Sequence, residues 1–198
     1  MEFELYFDYL CPFVYRASLL LAAVAAERSP DVSWRYFSLT QVNSKQDGWT
    51  VWDAPAADRV RGRLAFKAAE AARRQGKFDA FHPSLLAARH QSRLDIDDVR
   101  VVEQVADDAG LDLARFRQDV DDPAIMQALA HDHVHAVARH GVFGTPTFVF
   151  PNGASAYIRL ADAPAASEAL NLYDRLMSMA ADETRVLEIK RPIPPSPD

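Results

Sequence analysis

Hydrophobic and polar positions change their period along the chain, and each change predicts a new element. Polar and apolar residues alternate from Glu2 to Phe7, and this period of two predicts a strand. The stretch from Pro12 to Glu27 is rich in alanine and leucine and predicts a helix, with Cys11 at its start. Residues 32–39 predict a second strand. The amino-terminal part is therefore a strand–helix–strand unit.

A long helical block follows, from Pro55 to His140. Its glycines and aspartates fall where helices would end and begin. Glycine tolerates the left-handed conformation of a helix C-cap, and aspartate accepts the free N–H groups of a first turn. The predicted C-caps are Gly76, Gly110 and Gly141, and the predicted N-caps are Asp95, Asp112 and Asp122.

After the block the chain returns to strands. Residues 147–150 predict a strand, Asn152 and Gly153 a hairpin turn, residues 156–160 the returning strand, and residues 164–179 a last helix. Without the block, the order is strand, helix, strand, strand, strand, helix, which is the order of the thioredoxin fold. The sequence thus predicts an α/β protein with a thioredoxin-like fold and a large all-helical insertion.

The same division gives the domain organisation. Residues 1–50 and 142–185 form the predicted thioredoxin-like core, residues 51–141 form the helical insertion, and residues 186–198 form an extended C-terminal tail rich in proline. A chain of 198 residues has the length of one such domain with an insertion.

Composition narrows the class of protein. Hydrophobic residues make up 49% of the chain and charged residues 25%, which favours a folded domain over disorder. The net charge of −6 argues against a nucleic-acid-binding surface, and no apolar run approaches the roughly 20 residues of a membrane span. The start of the chain lacks a signal-peptide pattern, and its single cysteine cannot form an internal disulfide. We therefore expect a cytoplasmic protein.

The position of Cys11 makes this thiol the candidate reactive group. A strand–helix–strand unit places the end of its first strand beside the start of the helix, and Cys11 lies at that junction. A helix N-terminus carries roughly +0.5 of a charge and free N–H donors, which favour the nucleophilic thiolate over the thiol. A lone cysteine in another context is more often a buried apolar residue.

Two motifs carry a family resemblance. Residues 7–15, Phe-Asp-Tyr-Leu-Cys-Pro-Phe-Val-Tyr, resemble the active-site stretch of DsbA-like proteins, in which F-D-x-x-C-P and an aromatic residue open the first helix. Residues 141–148, Gly-Val-Phe-Gly-Thr-Pro-Thr-Phe, resemble the loop that carries the cis-proline of that superfamily. The resemblance extends over most of the chain and is greatest to the cytosolic FrnE-like branch. It extends more distantly to 2-hydroxychromene-2-carboxylate isomerases and kappa-class glutathione transferases, which carry serine at the cysteine position.

The resemblance implies a site at which the cis-proline loop faces the cysteine. The cis-proline would expose the backbone of the preceding threonine, so that a peptide or thiol ligand pairs with it like an added strand. The aromatic residues after the cysteine and the segment that follows the second strand would border the ligand groove. The implied catalytic residues are Cys11, Pro12, Thr145 and Pro146, and the implied substrate-binding residues are Phe13, Tyr15, Asn43 and Trp52.

The chain departs from the dithiol pattern at one position. A dithiol enzyme of this family would have a second cysteine at position 14, where this chain has Val14. A protein with one thiol cannot release a mixed disulfide by internal attack. The expected function is therefore thiol–disulfide oxidoreductase chemistry of monothiol type, through Cys11. The alternatives are a glutathione-type transferase or isomerase and a redox-inactive binding module on the same fold.

The expected partners follow from this chemistry. A second thiol must complete the reaction, either a protein thiol or a small-thiol co-substrate such as glutathione. We expect no other cofactor, no metal, no nucleic acid and no membrane. A homodimer is compatible with the apolar helical surface and the proline-rich tail.

Histidines and arginines offer two further hypotheses. His131 and His135 have the spacing of a zinc pair, but further ligands are missing and a solvated helix face is the better interpretation. His133 or His140 could instead supply an imidazole beside Cys11, with core packing as the alternative. Residues 58–93 contain nine Lys and Arg against three Asp and Glu, which could attract an anionic ligand, but pairing with the acidic stretch that follows or with another subunit is the better interpretation.

Overall fold

The structure is a computed structural model that describes residues 1–191. Most of the tail predicted at residues 186–198 lies outside the described residues. None of the helices that the structure describes has the length and apolar character needed to cross a membrane.

One four-stranded sheet forms the centre of the fold, with the strand order β2-β1-β3-β4. Strand β1 pairs in parallel with β2 and antiparallel with β3, and β3 pairs antiparallel with β4. Leu5 of β1 therefore lies between Trp34 of β2 and Phe148 of β3. The strands are β1 (Glu2–Phe7), β2 (Asp31–Tyr36), β3 (Thr147–Val149) and β4 (Ser155–Tyr157).

Residues 1–191 contain eight α-helices, and six of them lie between β2 and β3, where they form a helical layer of their own. No strand lies in residues 37–146, a stretch that the structure describes throughout. The predicted fold class, a thioredoxin-like α/β fold with a helical insertion, is confirmed. The helices are α1 (Pro12–Ala25), α2 (Leu39–Val42), α3 (Arg63–Arg74), α4 (Phe78–His90), α5 (Val99–Asp108), α6 (Leu113–Asp121), α7 (Met126–His140) and α8 (Ala166–Asp182).

Helix and strand ends differ from the predictions where a side chain ends or starts an element. The prediction that Asp95 is an N-cap is wrong, because α5 begins at Val99 and the carboxylate of Asp98 accepts the N–H of Arg100. Strand β2 ends at Tyr36 because Ser38 already caps α2.

The two faces of β1 pack against different helices. Phe3 contacts Phe148 with ring centroids 5.3 Å apart, and this face is covered by α1 and α8. Tyr6 points to the opposite face, where Ala136 of α7 covers it together with Val142. Glu2 and Glu4 share the face of Tyr6, and Glu2 is exposed, so this second face is covered only at its Tyr6 end.

His82 of α4 connects the helical layer to the end of β1. Its Nδ1 lies 2.9 Å from the hydroxyl of Tyr9, and its ring lies at 4.7 Å from the ring of Phe7. Burial, reinforced by the charge of Arg73, lowers the pKa of His82 to about 3, so the imidazole is neutral at physiological pH.

The carboxylate of Asp8 connects the same loop to α2. Asp8 is fully buried, and it accepts the N–H of Leu10 at 2.8 Å and the N–H of Leu39 at 2.6 Å. Burial raises the pKa of Asp8 to about 6, while the two N–H donors act in the opposite direction. Its ionised form is therefore held at a cost in stability.

We predict that Asp8 makes the protein less stable as the pH rises. Its pKa is higher in the folded state than the 3.8 of the free side chain, so the folded state binds the proton more tightly and loses this advantage as the pH rises through about 6. The free energy of unfolding of the wild type, minus that of Asp8→Asn, should fall by about 2 kcal/mol between pH 4.5 and pH 7. Urea unfolding of both proteins at both pH values measures this difference, and a difference that stays constant between the two pH values would contradict the prediction.

His82 should show the opposite dependence. Its pKa is lower in the folded state, so its contribution to stability is fully present above pH 6.5 and is lost as the pH falls toward about 3. The free energy of unfolding of the wild type, minus that of His82→Phe, should fall by about 3 kcal/mol from pH 7 to pH 4.5. The change with pH is the quantity compared, since the lost bond to Tyr9 shifts all values equally. A difference that does not vary with pH would refute the assignment.

Candidate active site

Cys11 lies at the junction between β1 and α1. It is the N-cap residue of α1, in extended conformation, and Pro12 is the first residue of the helix. The N–H of Cys11 donates to the carbonyl of Asp8 at 3.1 Å, which closes a tight turn between the strand and the helix. The residue is only 4% exposed. The strand end and the proline thus fix the thiol at the helix start, where proline is the residue best suited to the first helical position.

The thiol faces a loop that is distant in sequence. Cys11 Sγ donates a hydrogen bond to the carbonyl of Thr145 at 3.2 Å, and the peptide bond between Thr145 and Pro146 is cis. This loop is held by strand pairing, because the N–H of Ile158 donates to the carbonyl of Pro146 at 3.2 Å. The two motifs identified in the sequence therefore meet at one point.

The geometry at the sulfur belongs to the protonated thiol. A carbonyl oxygen accepts the S–H proton, whereas a thiolate would be repelled by the same oxygen. No N–H of the first helical turn donates to Cys11 Sγ, although the helix N-terminus lies beside it.

His90 holds the loop that precedes the cysteine. Its Nε2 lies 2.9 Å from the carbonyl of Tyr9, and its ring stacks on the ring of Tyr15 with centroids 5.6 Å apart. Burial lowers the pKa of His90, while the hydrogen bond to the carbonyl of Tyr9 acts in the opposite direction. Together with Asp8, His90 is a positioning residue that the sequence analysis missed. Asp8 lies inside the quoted motif and could have been found there, but His90 comes from a helix whose own sequence gives no sign of the contact.

Phe13 belongs to an exposed group of side chains beside the cysteine. The guanidinium of Arg159 lies 5.0 Å from the ring centroid of Phe13 and 5.5 Å from that of Tyr157. Phe143, which is 69% exposed, packs edge to face on Tyr157 at 5.0 Å. We call these four residues the aromatic shelf. It connects the start of α1 with the cis-proline loop.

The other predicted substrate-binding residues have contacts of their own. Tyr15 donates its hydroxyl to the side chain of Gln91 at 3.1 Å. Asn43, which follows α2, donates its side-chain amide to the carbonyl of Leu39, the first residue of that helix. The ring of Trp52 packs against that of His133, with centroids 5.4 Å apart. The structure brings Cys11 to the peptide bond between Thr145 and Pro146, whereas the side chain of Tyr15 contacts His90 and Gln91. A role in binding for the predicted substrate-binding residues stays a prediction.

The histidines of α7 contact other groups. His133 is buried, accepts the N–H of Ser38 at 3.1 Å and stacks on Phe37, so it is a core residue. His140 packs beside Tyr6 and His135. The imidazoles that reach the loop before the cysteine are those of His82 and His90 on α4, and not one from α7.

Thr145 takes part through its backbone. Its carbonyl receives the thiol proton, while its buried hydroxyl has no hydrogen-bond partner in the part of the chain that the structure describes. The carbonyl of Thr145 is thus the group that meets the sulfur, and a role of the hydroxyl stays a prediction.

Comparisons with known proteins agree with this architecture. An uncharacterized protein of Mycobacterium tuberculosis is 28% identical over 195 residues, which cover 98% of this chain and 83% of that protein. The crystal structure of a probable DsbA oxidoreductase from Streptomyces coelicolor superposes with a TM-score of 0.65 at 19% identity, covering 96% of this chain and 94% of the other.

A second solved structure that is similar to this chain is that of a disulfide reductase. The cytosolic disulfide reductase DsbM of Pseudomonas aeruginosa superposes with a TM-score of 0.60 at 18% identity, covering 91% of this chain and all of the other. At these identities the two structures support the fold. Residues 2–172 also match the DSBA-like thioredoxin domain family. The chain therefore belongs to the DSBA-like thioredoxin domain family.

Proposed function

We propose that this protein is a thiol–disulfide oxidoreductase of monothiol type, of the cytoplasmic FrnE-like branch of its family, with Cys11 as the only nucleophile. The single observation that carries the proposal is the position of Cys11 at the start of α1, facing the cis-proline loop. The substrates of this site would be the thiols and disulfides of small molecules or of proteins.

The reaction requires two thiol attacks. In the first, the thiolate of Cys11 attacks one sulfur of a disulfide, the S–S bond breaks, a mixed disulfide forms on Cys11, and the second sulfur leaves as a thiolate that takes up a proton. In the second, an external thiolate attacks the substrate sulfur of the mixed disulfide, the bond from this sulfur to Cys11 breaks, Cys11 leaves as a thiolate, and the external thiol and the substrate sulfur leave as a new disulfide. The electrons come from the external thiol, so the protein ends each cycle unchanged.

The external thiol is required because the usual second cysteine is missing. Val14 occupies that position, one turn after Cys11, and its side chain is 0% exposed. A small thiol is supported by the comparison with DsbM, for which a structure with GSH is known. That structure superposes with a TM-score of 0.59 at 18% identity.

A second candidate function, a redox-inactive binding module, is favoured by the resting geometry of the thiol. The bond from Cys11 to the carbonyl of Thr145 stabilises the protonated sulfur, and the burial of Cys11 limits its access to large reagents. A binding module would use the cis-proline loop and the aromatic shelf and leave Cys11 as a packing residue.

Reaction with an oxidised small thiol separates the two functions. The wild-type protein, incubated with oxidised glutathione and analysed by intact mass, should gain one adduct, and Cys11→Ser should gain none. Subsequent addition of reduced glutathione should remove the adduct, because the second attack completes the cycle. A wild-type protein that gains no adduct while folded would favour the binding module.

Restoring the missing thiol tests whether the rest of the site is competent. Val14→Cys creates a Cys-Pro-Phe-Cys sequence and should form an internal disulfide, which lowers the intact mass by two hydrogens and gives activity in the reduction of a protein disulfide.

The matched control is Val24→Cys, a buried valine at the other end of α1. It adds a thiol of the same kind but cannot reach Cys11, so it should give neither effect. Equal behaviour of the two variants would contradict the assignment of the site.

A further inference from the structure

A cavity opens beside the loop that carries the cysteine. Its volume is about 340 Å³, which is within the range of small-molecule sites. One of its walls is Leu10, the residue that precedes Cys11, so a molecule that fills the cavity lies next to the active-site loop. The lining residues are Leu10, Arg59, Arg61, Arg89, Asp95, Ile96 and Asp97.

The side chains that line this cavity include more arginines than aspartates, so their charges do not cancel. Asp95 pairs with Arg59 at 2.7 Å. Both carboxylate oxygens of Asp97 accept the N–H of Gly62 at 2.9 Å, and burial raises the pKa of Asp97. Arg61 and Arg89 form no ion pair within 4 Å in the part of the chain that the structure describes, although the charge of Arg61 acts on the buried carboxylate of Asp8 and Arg89 donates to the carbonyl of Leu94 at 3.5 Å. Neither guanidinium is held by a carboxylate contact, so both can bind an anion.

Arg59 and Arg61 lie in the loop before α3, and a buried side chain holds this loop in place. The guanidinium of Arg63 is buried and donates to four backbone carbonyls of this loop. Gly62 adopts a positive φ of 79° and packs on Leu10 so closely that a Cβ there would lie 3.0 Å from Cδ1 of Leu10. The cavity is thus preformed and in direct contact with the neighbour of Cys11. The carbonyls bound by Arg63 are those of Ala54, Pro55, Ala56 and Asp58.

We propose that this cavity binds a carboxylate of the small thiol that reacts at Cys11, so that the site selects anionic small thiols over neutral ones. The inference rests on the proposed function and names its substrate class. Guanidinium groups bind carboxylates through paired N–H donors, and Arg61 and Arg89 supply them. A net charge of −6 disfavours anions over the surface as a whole, so a local excess of arginine beside Leu10 makes the difference between charged and neutral substrates larger.

Equilibrium binding tests the cavity without any reaction at the cysteine. The full-length Cys11→Ser protein is titrated with S-methylglutathione, which carries two carboxylates and no free thiol. When Arg61→Gln or Arg89→Gln is combined with Cys11→Ser, the Kd should rise about fivefold, because each variant removes one charged donor pair. Arg175→Gln, an exposed arginine on α8, removes the same charge elsewhere and should leave the Kd unchanged. Absence of binding, or equal Kd values in all four proteins, would overturn the proposal.

Reaction rates give a second and independent readout on the protein with Cys11 intact. The dicarboxylate disulfide dithiobis(nitrobenzoate) and the neutral disulfide dithiodipyridine both release a coloured thiol on reaction with Cys11. Arg61→Gln should slow the first reaction about fivefold and leave the second unchanged. An equal loss with both disulfides would mean that the arginine positions the loop rather than binds an anion. A wild-type protein that reacts with neither disulfide would contradict the proposed function, while the titration still decides on the cavity.

Discussion

The site depends on one buried carboxylate. Asp8 accepts an N–H from the loop before Cys11 and another from the start of α2, and so joins the end of β1 to that loop and to α2. Burial disfavours the charged form, but the two N–H donors would lose their partners in the apolar core if the carboxylate were replaced by a hydrocarbon. The protein thus accepts a cost in stability for a fixed loop geometry.

The loop is also held from the helical layer, which makes the insertion part of the site. His82 contacts the hydroxyl of Tyr9, and His90 contacts its carbonyl, so α4 holds both ends of one residue. Leu10, the next residue, packs against Gly62 in the loop before α3. The residues that precede Cys11 are therefore enclosed by the strand on one side and the insertion on the other. A shift of the insertion would be transmitted to the cysteine through these contacts.

The sequence predicts those parts of the molecule that depend on local patterns. The alternation in β1, the proline after Cys11 and the glycine at the end of α7 each act within a few residues, and these predictions agree with the structure. The contact between His90 and Tyr9 joins residues 81 positions apart and leaves no periodic signal. Asp95 failed as an N-cap prediction because it accepts the N–H of Asp97 in a turn, a use of aspartate that resembles a cap in sequence.

The bond between His90 and Tyr9 also fixes the tautomer of the ring. A carbonyl oxygen can only accept, so Nε2 carries the proton and the neutral ring presents Nδ1 as a lone pair. Protonation then occurs at Nδ1 and leaves the Nε2–H bond in place. This bond between α4 and the active-site loop is therefore present in both charge states of His90.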